Sequence, residues 1–300
     1  MRSDSKSHAG RLRCLALLAC ALFLAACSTG MRLGYGHADT LLAYTIDGYV
    51  GLTPEQDQFV KERAASLLAW HRATQLRDYA QLVESTRAKL DNPVSAADVL
   101  TFNREVNVRL AALGERAAPD LAQLALTLSP EQLARVQRKL ANDDSKARRE
   151  MVQLAGRESV DDRVKKYAER ANFWFGDLSR EQAELVRAAV IRNPDSAAWW
   201  IEERERRQRE LLTVLLRIQS ERPVEATATA WLRSYFARLQ RPAEAERRER
   251  IEEFRLTNAE LIAQLVNSAT PEQKAHLSRR LAGFAQDFAA LASERAPAPG

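Results

Sequence analysis

Leu52-Thr53-Pro54-Glu55-Gln56 is written four times in this chain with variations. It returns as Leu128-Ser129-Pro130-Glu131-Gln132, as Leu178-Ser179-Arg180-Glu181-Gln182 and as Ala269-Thr270-Pro271-Glu272-Gln273. Each copy reads as the start of a helix. A hydroxyl residue (Thr53, Ser129, Ser179, Thr270) stands where an N-cap accepts from an orphan backbone N–H. The glutamine three residues on (Gln56, Gln132, Gln182, Gln273) can reach back to the cap's own N–H, which closes a capping box. Proline follows the cap in three copies, where its missing N–H is not needed. The glutamate lies in the first turn, at the positive end of the helix dipole. An apolar residue before the cap has an apolar partner at the fourth helical position only in the pair Leu128/Leu133.

Working outward, apolar residues recur at helical spacing between these caps. Phe59, Val60, Ala64, Leu67, Leu76, Tyr79, Val83 and Leu90 predict one long helix from Pro54 to about Asp91, ended by Asn92-Pro93. Ser95 with Asp98 caps the next, expected to kink around Gly114 to Pro119. A further long helix is expected from Pro130 to about Phe175, its polar middle (Ala141 to Arg149) solvated or projecting. Gly176 is the expected C′ residue, and the short link to Ser179 favours an antiparallel hairpin. Helices follow over about 180–193, 197–220, 224–240, 242–267 and 271–294. The last carries a clean stripe of Leu277, Leu281, Phe284, Phe288 and Leu291. Sustained strand alternation is absent from the sequence. The predicted fold is all-α, an elongated multi-helix bundle of long antiparallel helices over 38–295, with two sub-bundles dividing near 176–179. The unequal spacing of the four copies suggests reused helix starts rather than a solenoid. Residues 296–300 read as a disordered tail.

The composition is that of a globular chain: 46% hydrophobic, 28% charged, with 11 glycines and 10 prolines in 300 residues. Its start reads differently. Arg2, Lys6, Arg11 and Arg13 precede an apolar run from Leu15 to Ala26, too short to span a bilayer and suited to a signal h-region. The run ends in Leu24-Ala25-Ala26-Cys27, which resembles the lipobox of bacterial lipoproteins. That resemblance implies a signal peptide over 1–26 and acylation (diacylglycerol and N-acyl, palmitate among the chains) at Cys27. Two or more chains anchor a protein stably. Ser28 follows, and by the same resemblance serine there favours sorting to the outer membrane, with the body facing the periplasm of a Gram-negative cell. Residues 27–37, glycine-rich, are read as the lipidated N-terminus and tether. With Cys14 and Cys20 in the leader and Cys27 acylated, no cysteine is left for a disulfide. The leader carries a surplus of three positive charges, so the net +5 falls to +2 on maturation. The basic balance is therefore no argument for nucleic acid.

A search for chemistry yields few candidates. His37, His71 and His276 have no second ligand at metal spacing, and no nucleophile elbow, P-loop or dinucleotide fingerprint is present. No catalytic residue, metal or cofactor is assigned, and the chain is not expected to be an enzyme. The acid pairs Asp143-Asp144, Asp161-Asp162, Glu202-Glu203 and Glu252-Glu253 stand among arginines and read as solvated, salt-bridged faces. Trp70-His71-Arg72 with Tyr79, and Trp199-Trp200, are the candidate binding surface.

The lipobox, the tyrosine-bearing segment before Leu52 and the Trp70-His71-Arg72…Tyr79 cluster resemble an uncharacterised family of bacterial helical lipoproteins, a domain of unknown function. Separately, L-[TS]-x-x-Q is similar to the motif of the LTxxQ-type periplasmic stress chaperones, which are all-helical and cradle unfolded clients. Leu52/Gln56, Leu128/Gln132 and Leu178/Gln182 match it, whereas Ala269 departs. The leading expectation is a non-enzymatic, outer-membrane-anchored lipoprotein that binds an envelope protein as a scaffold or assembly factor. A chaperone of the LTxxQ type and an enzyme acting on envelope polymers through carboxylates are the alternatives.

Overall fold

The structure, a computed structural model, describes residues 34–155, 160–194 and 196–294. Cys27, Ser28, Asp195 and the tail after 294 lie outside the described residues. Eleven α-helices and no strand are found among them: α1 (Ala38–Val50), α2 (Pro54–Thr74), α3 (Leu76–Ala88, continued by a 3₁₀ turn, Lys89–Asp91), α4 (Ala96–Thr127), α5 (Pro130–Ala155), α6 (Val160–Phe175), α7 (Arg180–Arg192), α8 (Ser196–Glu221), α9 (Glu225–Gln240), α10 (Ala245–Asn267) and α11 (Pro271–Ser293). The protein is an all-α multi-helix bundle. The long helices are those between the capped starts, as the apolar periodicity requires.

Three expectations about the helices need correcting. The helix from Pro54 is divided at Gln75 (φ −110°) into α2 and α3. Thr74 Oγ1 donates to the Trp70 carbonyl at 2.8 Å, a local bond that competes with the ladder and bends helices. The bend places Leu76, fully buried, against Phe284, Phe288 and Leu291 of α11. Conversely α4 runs unbroken through Gly114 and Pro119. Its small residues are the reason: Phe236 of α9 lies 3.2 Å from where a Cβ on Gly114 would stand, and Ala118 and Ala122 are wholly buried against α9. Finally, the polar stretch of α5 is not a projection. Asp143 accepts from Tyr49 of α1 at 3.1 Å, Asp144 pairs with Arg204 at 3.2 Å, and Arg148 forms a fork with Glu205 of α8.

The cores show why the four starts exist. One cluster joins Val50, Val60, Leu124, Leu128, Leu133 and Val136, from α1, α2, α4 and α5. A second joins Phe175, Val186, Leu261, Leu265, Leu277 and Leu281, from α6, α7, α10 and α11. The two correspond position by position. Val60 and Val186 each stand seven residues after their cap, as do Val136 and Leu277; Leu124 and Leu265 each stand five before. In both units the first helix packs on the second and the last, and the second packs on the fourth. The chain thus contains one helical unit twice, α1–α5 and α6–α8 with α10–α11, and α9 is an extra helix inserted in the second. The third helices are exchanged: α3 packs on α11 of the other unit and α8 packs on α5. Helices α4 and α10 meet between the units. The reading of reused helix starts therefore gives way to a duplication, with unequal spacing because α8 is longer than α3 and α9 is added. Residues 176–179 do not separate sub-bundles, since Phe175 and Val186 on either side share one core.

Candidate functional site

All four capping boxes are formed. The cap hydroxyls accept from the glutamine N–H at 3.2–3.3 Å, and each glutamine Oε1 accepts from the cap N–H at 2.9–3.0 Å. The first-turn acids Glu55, Glu131, Glu181 and Glu272 have lowered pKa values through bonds to their own backbone N–H and to the cap hydroxyl, as expected at a helix start.

Beyond capping, the glutamines meet in pairs. Gln56 Nε2 donates to Gln132 Oε1 at 3.3 Å, and Gln132 Nε2 returns the bond at 2.7 Å. Gln182 and Gln273 exchange the same two bonds at 3.0 and 2.9 Å. The second amide hydrogen reaches the residue two positions before the partner's cap. Gln132 donates to the Gly51 carbonyl at 2.9 Å and Gln273 to the Asp177 carbonyl at 2.8 Å; Gln56 reaches Thr127 Oγ1 at 3.0 Å and Gln182 reaches Ser268 Oγ at 3.5 Å. Two helix starts are thereby tied together in each unit. This is architecture, and it leaves no free polar group on the glutamines for a ligand.

The Trp70-His71-Arg72…Tyr79 cluster is not an open surface. His71 and Arg72 are buried, and the space beside them is taken by Tyr35, itself buried. Tyr35 Oη donates to the Leu68 carbonyl at 3.2 Å and lies 2.9 Å from His71 Nδ1. The other ring nitrogen, Nε2, lies 3.2 Å from Tyr79 Oη. Arg72 lies over the Tyr35 ring at 5.1 Å and pairs with Glu294 at 3.4 Å. Burial pushes the Tyr35 hydroxyl up to about 12 and the His71 imidazole down to about 4, so both are neutral at pH 7. The assignment of Gly34-Tyr35-Gly36 to a free tether is thus corrected: Gly34–Gly36 is helical and Tyr35 is an anchor. The only signal in the sequence was an aromatic residue standing among glycines.

Trp199 and Trp200 do come together with α10. Trp199 sits 4.9 Å from both Trp200 and Phe254, and Trp200 remains 46% exposed. Next to them α8 buries two carboxylates. Glu203 is bonded by Arg206, Arg207 and Arg247, and Glu205 by Arg148 and Arg209. Burial works against the Glu203 charge, but the three guanidinium bonds outweigh it and hold the carboxyl at about 2. The other acids are similarly engaged: Asp161 with Arg187, Glu252 with Arg255, Glu253 with Arg250. The Glu203 carboxylate, so bound, stays ionised near neutral pH and is poorly suited to donating a proton.

Two clefts flank the α9–α10 turn. One is lined by Arg206, Arg209 and Arg238 around Glu210 and Glu244, a near balance of charge. The other, of about 540 Å³, opens between α4 and α10 beneath the α9–α10 turn and is lined by four arginines and one carboxylate. Sequence reasoning missed both, because they collect residues from three separated segments. Among the described residues no group of three His, Cys, Asp or Glu could hold a metal, and no helix is long and apolar enough to cross a membrane. No curated protein and no solved structure is matched by this chain. The sequence model of one family, DUF6279, described as a family of unknown function, matches residues 48–229. That span holds the first unit from the end of α1 onward and the second as far as the start of α9, and the chain belongs to this family of unknown function.

Proposed function

We propose that this protein is an outer-membrane-anchored lipoprotein whose helical body, facing the periplasm, binds envelope protein without catalysing a reaction. The observation that carries this reading is how its conspicuous polar residues are employed. Arginines bind the buried carboxylates Glu203 and Glu205, and the paired glutamines and the His71 cluster hold helices to one another. What the body turns outward is helix surface with large apolar side chains, Leu41, Leu42 and Tyr44 of α1 among them. Anchorage rests on the lipobox at Cys27 and the sorting residue Ser28. Tyr35 stands eight residues after Cys27, so the body would be held within about 30 Å of the lipid.

The test uses the full lipoprotein in cells, with a photocrosslinking residue in place of Tyr44. A discrete crosslinked protein, lost when Leu41→Asp is added, is the expected result. Membrane association should be lost in Cys27→Ala. No crosslinked species, together with loss of a cellular phenotype on neutralising one carboxylate such as Glu202 or Glu253, would favour the envelope-polymer enzyme instead.

A further inference from the structure

The cleft between α4 and α10 has an unusual charge balance. Arg104 projects from α4, Arg241 from the α9–α10 turn, and Arg248 and Arg255 from α10. Their only lining acid is Glu252, already paired with Arg255 at 2.5 Å. Arg248 donates to the Pro242 and Ala243 carbonyls, which fixes its guanidinium without neutralising it. Arg104 and Arg241 make no side-chain hydrogen bond or ion pair among the described residues. Every other arginine-rich place described above is closed by carboxylates; this one keeps a surplus of three positive charges. Asn103 and Asn107, on the same face of α4 as Arg104, add neutral polar groups. Gln240 donates to the Asn107 carbonyl at 2.8 Å and so braces the turn that carries Arg241.

Position matters as much as charge. The cleft lies where the two repeated units meet, and interfaces between structural units are a preferred place for ligands. Its volume is within the usual range for a small-molecule site. Its rim belongs partly to the α9 insertion, which the first unit lacks, so the duplication does not by itself require it.

We propose that this cleft binds a ligand carrying two phosphate groups or a diphosphate. Guanidinium forks match phosphate oxygens in pairs, and a single carboxylate would leave most of the surplus charge unmet. A diphosphate, at close to three negative charges, answers it. The phosphate groups belong either to a membrane lipid headgroup or to a soluble phosphorylated molecule, and the recognition chemistry is the same.

The experiment measures binding of inorganic pyrophosphate by titration calorimetry, and sedimentation with vesicles of phosphatidylcholine containing or lacking a tenth of phosphatidic acid. The protein is the full chain with Cys27→Ala. Pyrophosphate should bind, and Arg104→Gln with Arg241→Gln should weaken it at least about tenfold with circular dichroism and unfolding midpoint unchanged. A control pair, Arg192→Gln with Arg217→Gln, should leave binding unaltered. Sedimentation only with the phosphatidic acid vesicles, sensitive to the cleft pair alone, supports the site and names a lipid as the source; pyrophosphate binding without it names a soluble ligand. Binding to neither probe, or equal weakening by both pairs, would overturn the proposal. The outcome is independent of the protein-binding reading.

Discussion

Each capping glutamine fills its hydrogen-bonding positions from two directions, local and distant. Gln182 accepts from the Ser179 N–H and from Gln273, and donates to Gln273 and Ser268. Glutamate serves equally well in an ordinary capping box, but here it would lose both donations and bury a charge. Gln182→Glu should therefore destabilise the protein by at least about 2 kcal/mol at pH 7. The buried carboxyl would have a raised pKa in the folded state. Its penalty should be full above that value and fade as pH falls toward the unfolded value near 4.3. Urea midpoints measured against pH for variant and parent check this; equal midpoints at pH 7 would show that the pair contributes nothing. The local half of this arrangement was legible in the sequence because cap and glutamine are three residues apart. The distant half was not, since nothing in Gln56 announces Gln132. His71 supplies a second pH-dependent term. Its pKa is about 4 when folded against about 6.5 when free, so its stabilisation is whole above 6.5 and is lost as pH falls from 6.5 to 4. The loss amounts to roughly 3 kcal/mol. Tyr35 and Tyr79 meet the two nitrogens of the ring, and Arg72 lies over Tyr35 and pairs with Glu294. His71→Gln should flatten the stability curve between pH 6.5 and 4, and an unchanged slope would sink this account.

At the scale of the element, helix starts and apolar stripes were readable, whereas bends and docking were not. The stripe Leu277, Leu281, Phe284, Phe288 and Leu291 is buried throughout, because a period near 3.6 can serve only one face. The bend at Gln75 was hidden, since periodicity carries on across it and the cause is a single Thr74 side chain. The polar stretch of α5 misled for a physical reason: a face that lacks apolar residues can still dock when its partner supplies matching charges, as Arg204 and Glu205 do. Such pairs give register more than energy, being partly exposed and screened. The bend is different in kind, because what it delivers is the complete burial of Leu76. Leu76→Ala should cost about 3 kcal/mol in unfolding free energy. A loss below about 1 kcal/mol would mean that α11 collapses onto the vacated space and that the bend is incidental to packing.

Across the whole molecule, the duplication explains why four starts suffice to organise eleven helices. Each unit has one start before its second helix and one before its last, and the glutamine pair ties the two together. The exchange of α3 and α8 then makes the units depend on each other. The burial of Leu76 against α11, with the Tyr79–Phe288 contact at 5.8 Å, belongs to neither unit alone. On the other side, Leu215 of α8 packs into the first unit's core beside Leu124 and Leu140. A chain whose two halves merely touched would come apart when severed between them. One with exchanged helices should not, because separation would expose Leu76, Phe284, Phe288 and Leu291 on one side and Leu215 on the other. Each fully buried side chain of this size contributes about 1.5–3 kcal/mol. A protease site inserted between Ala155 and Val160 tests this directly. After complete cleavage the two fragments should elute together on size exclusion with helical content and unfolding midpoint close to those of the uncut protein. Dilution should lower the midpoint, since the fragments are then held by mass action alone. Elution as two separate, folded, monomeric fragments would show that the exchanged helices are not what holds the units together.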